Sequence, residues 1–148
     1  MASNVVNRET VRDAVSTILS SAIVAAGYAQ AFYGYQVADF GRQSPVVVVT
    51  SGGASRGNLA SREIGDTSFK IIIHIFVLYA IEDGSWTEAN SEDKLDALEK
   101  KIIDLLIDAF DTQNWLTLDA MDFSEVDGEI IGEEDYRHEA ITLTIGVM

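Results

Sequence analysis

The stretch FKIIIHIFVLYAI, Phe69 to Ile81, decides the fold. Phe69, Ile71, Ile73, Ile75, Val77 and Tyr79 alternate with Ile72, His74, Phe76 and Leu78, so both faces of an extended chain are apolar over most of its length. An edge or one-sided strand alternates apolar with polar, so this pattern marks a strand with neighbours on both sides and layers above and below. Glu82, Asp83 and Gly84 end it. Beyond them the period changes from two to about 3.6: Leu95, Leu98, Ile102, Leu105, Leu106 and Ala109 form one stripe, which predicts a helix over Glu92 to Phe110 with Asn90 or Ser91 as its cap. Its other face, with Asp93, Asp96, Lys100, Asp104, Asp108 and Asp111, reads as solvated. On the upstream side Pro45 opens Val46 to Thr50, a short β-branched strand, and Ser51 to Ser68 reads as a long Gly/Ser-rich loop carrying Arg56 and Arg62.

Farther out, Val11, Ala14, Val15, Ile18, Leu19, Ala22, Ile23 and Ala26 predict a first helix, with Asn7 as N-cap and Gly27 as stop. Ala14 to Ala38 contains no charged side chain, yet Glu9 and Asp13 cancel Arg8 and Arg12 ahead of it, and serines and glutamines interrupt it. Those flanks do not suit a signal peptide or a membrane span. An aromatic stretch follows, with Tyr28, Phe32, Tyr33, Tyr35 and Phe40, and reads as a loop that covers the core or meets another subunit. Near the C-terminus Ala120 to Ile131, broken at Asp127-Gly128, and Tyr136 to Val147 predict two strands joined at Gly132 to Asp135. The expected fold class is α+β, a mostly antiparallel sheet with two main helices packed on it, within a single domain over residues 1–148.

The 148 residues include 10 Lys+Arg, 24 Asp+Glu and no Cys. Residues 1–70 carry a net charge of +1 and residues 71–148 carry −15. A chain of this size buries roughly 68% of its unfolded surface, enough for a core without staples. Missing cysteine excludes disulfides, thiolate metal sites and cysteine nucleophiles. The acidity argues against a protein that grips nucleic acid, because such affinity comes from cations neutralising phosphates.

Local motifs fail on their context. Gly53-Ala54-Ser55-Arg56-Gly57 matches the nucleophile elbow of serine hydrolases, but the helix that must follow the serine is missing. Gly52 and Gly57 have P-loop spacing, with Asn58-Leu59 where Lys and Ser/Thr belong. Phe123 to Glu134 imitates a calcium loop, yet Phe123 offers no oxygen at the first place and strands flank it. His74 and His138 have no local partner at metal-ligand spacing, and Trp86 and Trp115 read as packing anchors. The expectation is therefore no catalytic, cofactor or metal residue, and no enzyme.

The order of elements nevertheless resembles a known family. RETVRDAVSTILSSAI, SPVVVVTSGG with its long loop, FKIIIHIFVLYA, SEDKLDALEKKIIDLLIDAF and EEDYRHEAITLTIGVM follow one another as in the tail terminator (tail completion) proteins of long-tailed bacteriophages. The resemblance implies a virion protein, made in the host cytoplasm, whose hexameric ring caps the tail tube and presents the head-tail joining surface. Its partners would be further copies of itself, the tail tube protein and the head-tail connector, with DNA only as passing cargo and no membrane. Another ring protein of the virion neck, or in a different class a small serine hydrolase using Ser55, are the alternatives. On this reading Tyr33, Tyr35, Arg56 and Arg62 serve subunit contacts. Part of the set Asp104, Asp108, Asp111, Glu125, Asp127 and Glu129 would line the opening, repelling phosphates so that the duplex slides. Fourteen net negative charges per copy also predict association that rises with salt, because screening shortens repulsion to about 10 Å at 0.1 M.

Overall fold

The computed structural model describes residues 8–35, 37, 39–41, 43–56, 67–78, 88–112, 116–132 and 134–147. Its elements run α1 (Arg8–Ala25), β1 (Ala31–Tyr33), β2 (Val46–Arg56), β3 (Thr67–Leu78), α2 (Glu88–Thr112), β4 (Leu116–Phe123), β5 (Asp127–Ile131) and β6 (Glu134–Val147). One six-stranded sheet has the order β1-β2-β3-β6-β4, with β5 following β4 along the same edge of β6. Only the β1–β2 pair is parallel. The α+β class with a mostly antiparallel sheet is thus the observed one, and β3 lies between β2 and β6 as its two apolar faces required.

Both helices cover one face. Val11, Val15, Leu19 and Ile23 of α1 and Leu95, Leu98, Ile102, Leu106 and Phe110 of α2 meet Ile71, Ile73, Ile75, Ile141, Leu143 and Ile145 in the main core. Burying these branched side chains drives the fold, at about 1.5–3 kcal/mol each. The opposite face has no helix among the described residues. On one end of it Phe40 and Tyr136 join Val46, Val48, Phe76 and Leu78 in a smaller cluster. Tyr136 donates from its hydroxyl to the Gln43 carbonyl, and Ser44 Oγ accepts from Leu78 N–H.

Several boundaries differ from the sequence reading, each for a physical reason. The expected Ser51 to Ser68 loop begins as a continuation of β2, which stays paired with β3 to Arg56↔Thr67 by way of a bulge between Ser51 and Ala54. Gly52 permits the close approach, since a Cβ there would lie 2.9 Å from the Lys70 carbonyl oxygen. The aromatic stretch is not all loop, because Ala31–Tyr33 adds a parallel strand to β2. Helix α2 begins at Glu88, ahead of the expected cap, and Ser91 is buried with its hydroxyl donating to the Leu78 carbonyl. The break in the expected 120–131 strand falls at 124–126 rather than at Asp127-Gly128. There Ser124 N–H donates to the Ala140 carbonyl and Ser124 Oγ accepts from Ala140 N–H, so a side chain replaces one ladder bond. Gly27, with φ +81°, ends α1 as expected: its N–H donates to Val24 and that of Tyr28 to Ile23. Asn7, Tyr79 to Ile81, Trp86 and Trp115 lie outside the described residues.

Candidate functional site

The polar groups that the sheet brings together lie on its helix-free face. Residues opposite one another in an antiparallel ladder project to the same side. Val48↔His74, Phe76↔His138 and Asp127↔His138 therefore place side chains of β2, β3, β6 and β5 on one surface. Thr50 Oγ1 lies 3.2 Å from His74 Nε2, His74 Nδ1 lies 2.8 Å from His138 Nε2, and His138 Nδ1 lies 2.9 Å from Asp127 Oδ1. This is an unbroken hydrogen-bond chain across four strands. The rings stack as well: His74 on His138 at 5.1 Å and His138 on Phe76 at 4.7 Å, with Phe40 4.9 Å from Phe76.

Burial sets the protonation of His74. Desolvation, and then the neighbouring His138, lower the His74 pKa to about 4, so His74 is neutral near pH 7. A neutral imidazole has one donor and one acceptor, so His74 donates to one neighbour and accepts from the other. With His138 Nδ1–H donating to the Asp127 carboxylate, His138 Nε2 accepts from His74 Nδ1–H, and His74 Nε2 accepts from the Thr50 hydroxyl. The His138 side chain is 12% exposed and that of Asp127 56%, so the chain opens to water at its acidic end. Glu129, two residues along β5 on the same side, brings a second carboxylate within 4.8 Å of the Asp127 and His138 donor atoms.

The covered face has its own polar group. Glu139, next to His138 but on the helix side, is buried. Desolvation first, then a hydrogen bond with Glu99 and the charges of Glu99 and Asp96 on α2, push its pKa up to about 8. Beside it Arg137 pairs with Glu92.

The residues singled out in the sequence fall in several places. Tyr33 is half-buried, donates to Gln43 Oε1 at 2.7 Å and stacks on Phe40, whereas Tyr35 is 65% exposed. Arg56 ends β2 opposite Thr67, and its side chain, like that of Asp111 and the whole of Arg62, lies outside the described residues. Asp104 and Asp108 are exposed on α2, above the covered face, while Asp127 and Glu129 project from the other face. The acidic set is therefore divided between the two faces, with Glu125 exposed at the bend between β4 and β5. Ser55 pairs with Ser68 inside the β2–β3 ladder and not at a strand-to-helix turn. Seven residues of β2 separate it from Val48 opposite His74, about 20 Å at strand rise, so no serine–histidine pair forms there. The imitation calcium loop is strand, bend and strand.

The histidine chain was missed because 64 residues separate its two rings. The signal that would have found it is parity: His74 and His138 each stand mid-strand, and a register with Phe76 opposite His138 puts both on one face. No protein-family model and no curated protein matches this chain.

Proposed function

We propose that this chain is a ring-forming structural subunit of a phage tail, a tail terminator that caps the tube and joins it to the head connector. The observation that carries the reading is the outer edge of β4 and β5. No strand pairs with it among the described residues, and Phe123, Val126 and Ile130 stand 46%, 37% and 72% exposed along it. A free strand edge with large apolar side chains is a docking surface waiting for another chain. The opposite edge is different in kind. It belongs to β1 and β2, from the half of the chain with net charge +1, whereas β4, β5 and β6 come from the half with −15. Two unlike edges favour a head-to-tail contact, which closes into a ring when the rotation per subunit divides the circle. Tyr35 follows β1 and Gly53 to Arg56 end β2, so both belong to the β1–β2 side and serve the contact. The acidic α2 surface at Asp104 and Asp108 supplies a wall that repels passing DNA.

Mass measurement with negative-stain imaging of the purified chain tests this. The expected result is a closed ring, hexameric as in the family it resembles, that forms more readily as salt rises. Ile130→Glu should give a folded monomer, and deletion of residues 53–62 should do the same. A wild-type chain that stays monomeric from low to high salt, or an Ile130→Glu ring indistinguishable from wild type, overturns the reading.

A further inference from the structure

We propose that Asp127, Glu129 and His138 form a binding site for one divalent transition-metal ion of the zinc type, with His74 and Thr50 as its supporting hydrogen-bond chain. All three ligands come from one chain. Its first argument is the donor set: one imidazole nitrogen and two carboxylates, an N,O combination that suits zinc and its neighbours better than calcium. The second is geometry. Metal–ligand bonds of about 2.0–2.2 Å put adjacent ligand atoms about 3 Å apart. His138 Nδ1 and Asp127 Oδ1 already lie 2.9 Å apart, and a Glu129 oxygen is within 4.8 Å of both. Asp127 and Glu129 are exposed, so their carboxylates can rotate onto an ion without disturbing the core. The two nearby carboxylates repel each other in an already acidic chain, and a cation relieves that repulsion.

The third argument is the hydrogen-bond chain behind the imidazole. A metal-ligating histidine donates its other ring N–H to a partner that fixes its orientation. When His138 Nδ1 takes the metal in place of its proton, its proton sits on Nε2 and donates to His74 Nδ1. His74 then carries its own proton on Nε2 and donates to Thr50 Oγ1. No proton is gained or lost: each moves to the other nitrogen of its ring, and the whole chain reverses direction. His74 is thus a positioning residue, and its tautomer reports occupancy of the site from the next strand.

Calorimetric titration of the chelator-stripped full chain with Zn2+, paired with 15N NMR of the histidine rings, tests this. The expected result is one Zn2+ per chain, bound in preference to Ca2+, with the His74 proton moving from Nδ1 to Nε2 on saturation. Glu129→Gln and Asp127→Asn, both on the surface, should weaken binding by more than tenfold, whereas Glu125→Gln should leave it unchanged. His74→Phe should weaken it by about 10- to 100-fold while all three ligands remain. Stoichiometry other than one, equal loss in Glu125→Gln, no preference over Ca2+, or a His74 tautomer that does not move with Zn2+ each overturns the proposal.

Discussion

His138 and Glu139 are neighbours in β6 and face opposite ways, one onto the open side of the sheet and the other beneath α2. The same cause acts on both faces with opposite sign. Loss of water disfavours whichever form is charged, so the base His74 falls to about 4 and the acid Glu139 rises to about 8. The open face meets that cost with a chain of neutral hydrogen bonds reaching to a solvated carboxylate. The covered face meets it by keeping Glu139 in its neutral, protonated form beside Glu99 and Asp96. One face is held by its apolar packing and tolerates a protonated acid. The other is packed only at one end, by the Phe40 and Tyr136 cluster, and beyond it carries the directional bonds of the histidine chain.

Removing bulk from each face tests that difference most severely. Ile73 is wholly buried under the helices, while its neighbour Ile72 is half-buried on the open side. Ile73→Ala should cost about 2–5 kcal/mol in urea denaturation, because the rigid surroundings leave a cavity. Ile72→Ala should cost well under half of that, and equal losses would mean that the two faces are packed alike. Next in size is Ser91→Ala, which strips the buried hydroxyl from the Leu78 carbonyl between α2 and β3. A buried acceptor left without its donor costs about 1–3 kcal/mol.

The two shifted groups also predict a pH profile, measured as urea midpoints in chelator-containing buffer. Glu139 has a folded pKa above its usual 4.5, so its stabilising contribution is complete below 4.5 and is lost as pH rises toward 8. His74 has a folded pKa below its usual 6.5, so its contribution is present above 6.5 and is lost as pH falls toward 4. From these groups stability should be nearly level between pH 4.5 and 6.5, where the slopes oppose, and should decline from 6.5 to 8. Glu139→Gln should remove the decline and leave only the acid-side rise. A decline that persists in Glu139→Gln would show that Glu99 and Asp96 do not hold a proton on that residue.

Legibility in the sequence divided along the same line. The covered face was readable, because stripes such as Val11, Val15, Leu19 and Ile23, or Leu95, Leu98 and Ile102, record burial in their spacing alone. Strand parity likewise revealed which residues of β3 lie together. Register did not follow from parity, since it depends on which residue of β6 faces which residue of β3, so the His74–His138 contact could not be read from either strand. Glu139 shares the parity of Ile141, Leu143 and Ile145, which puts it on the covered face, but the carboxyl groups of α2 that lie near it there are set by helix placement, which strand parity does not record. Ser124, whose hydroxyl carries the chain through a bend, fell inside the expected 120–131 strand.

The smallest effect expected is at the far end of the histidine chain. Thr50→Val keeps the shape and β-propensity of the side chain and removes one hydroxyl, which lies 3.2 Å from His74 Nε2. If the open face is held by directional bonds, that nitrogen loses its partner and stability falls by about 0.5–1.5 kcal/mol, the net worth of one such bond. The loss should be absent in a His74→Phe background, where there is no ring nitrogen left to satisfy, so a double-mutant cycle isolates the contact. The same loss in both backgrounds would assign it to the apolar setting of Thr50. The chain from Thr50 to Asp127 would then end at His74 on β3, one strand short of β2.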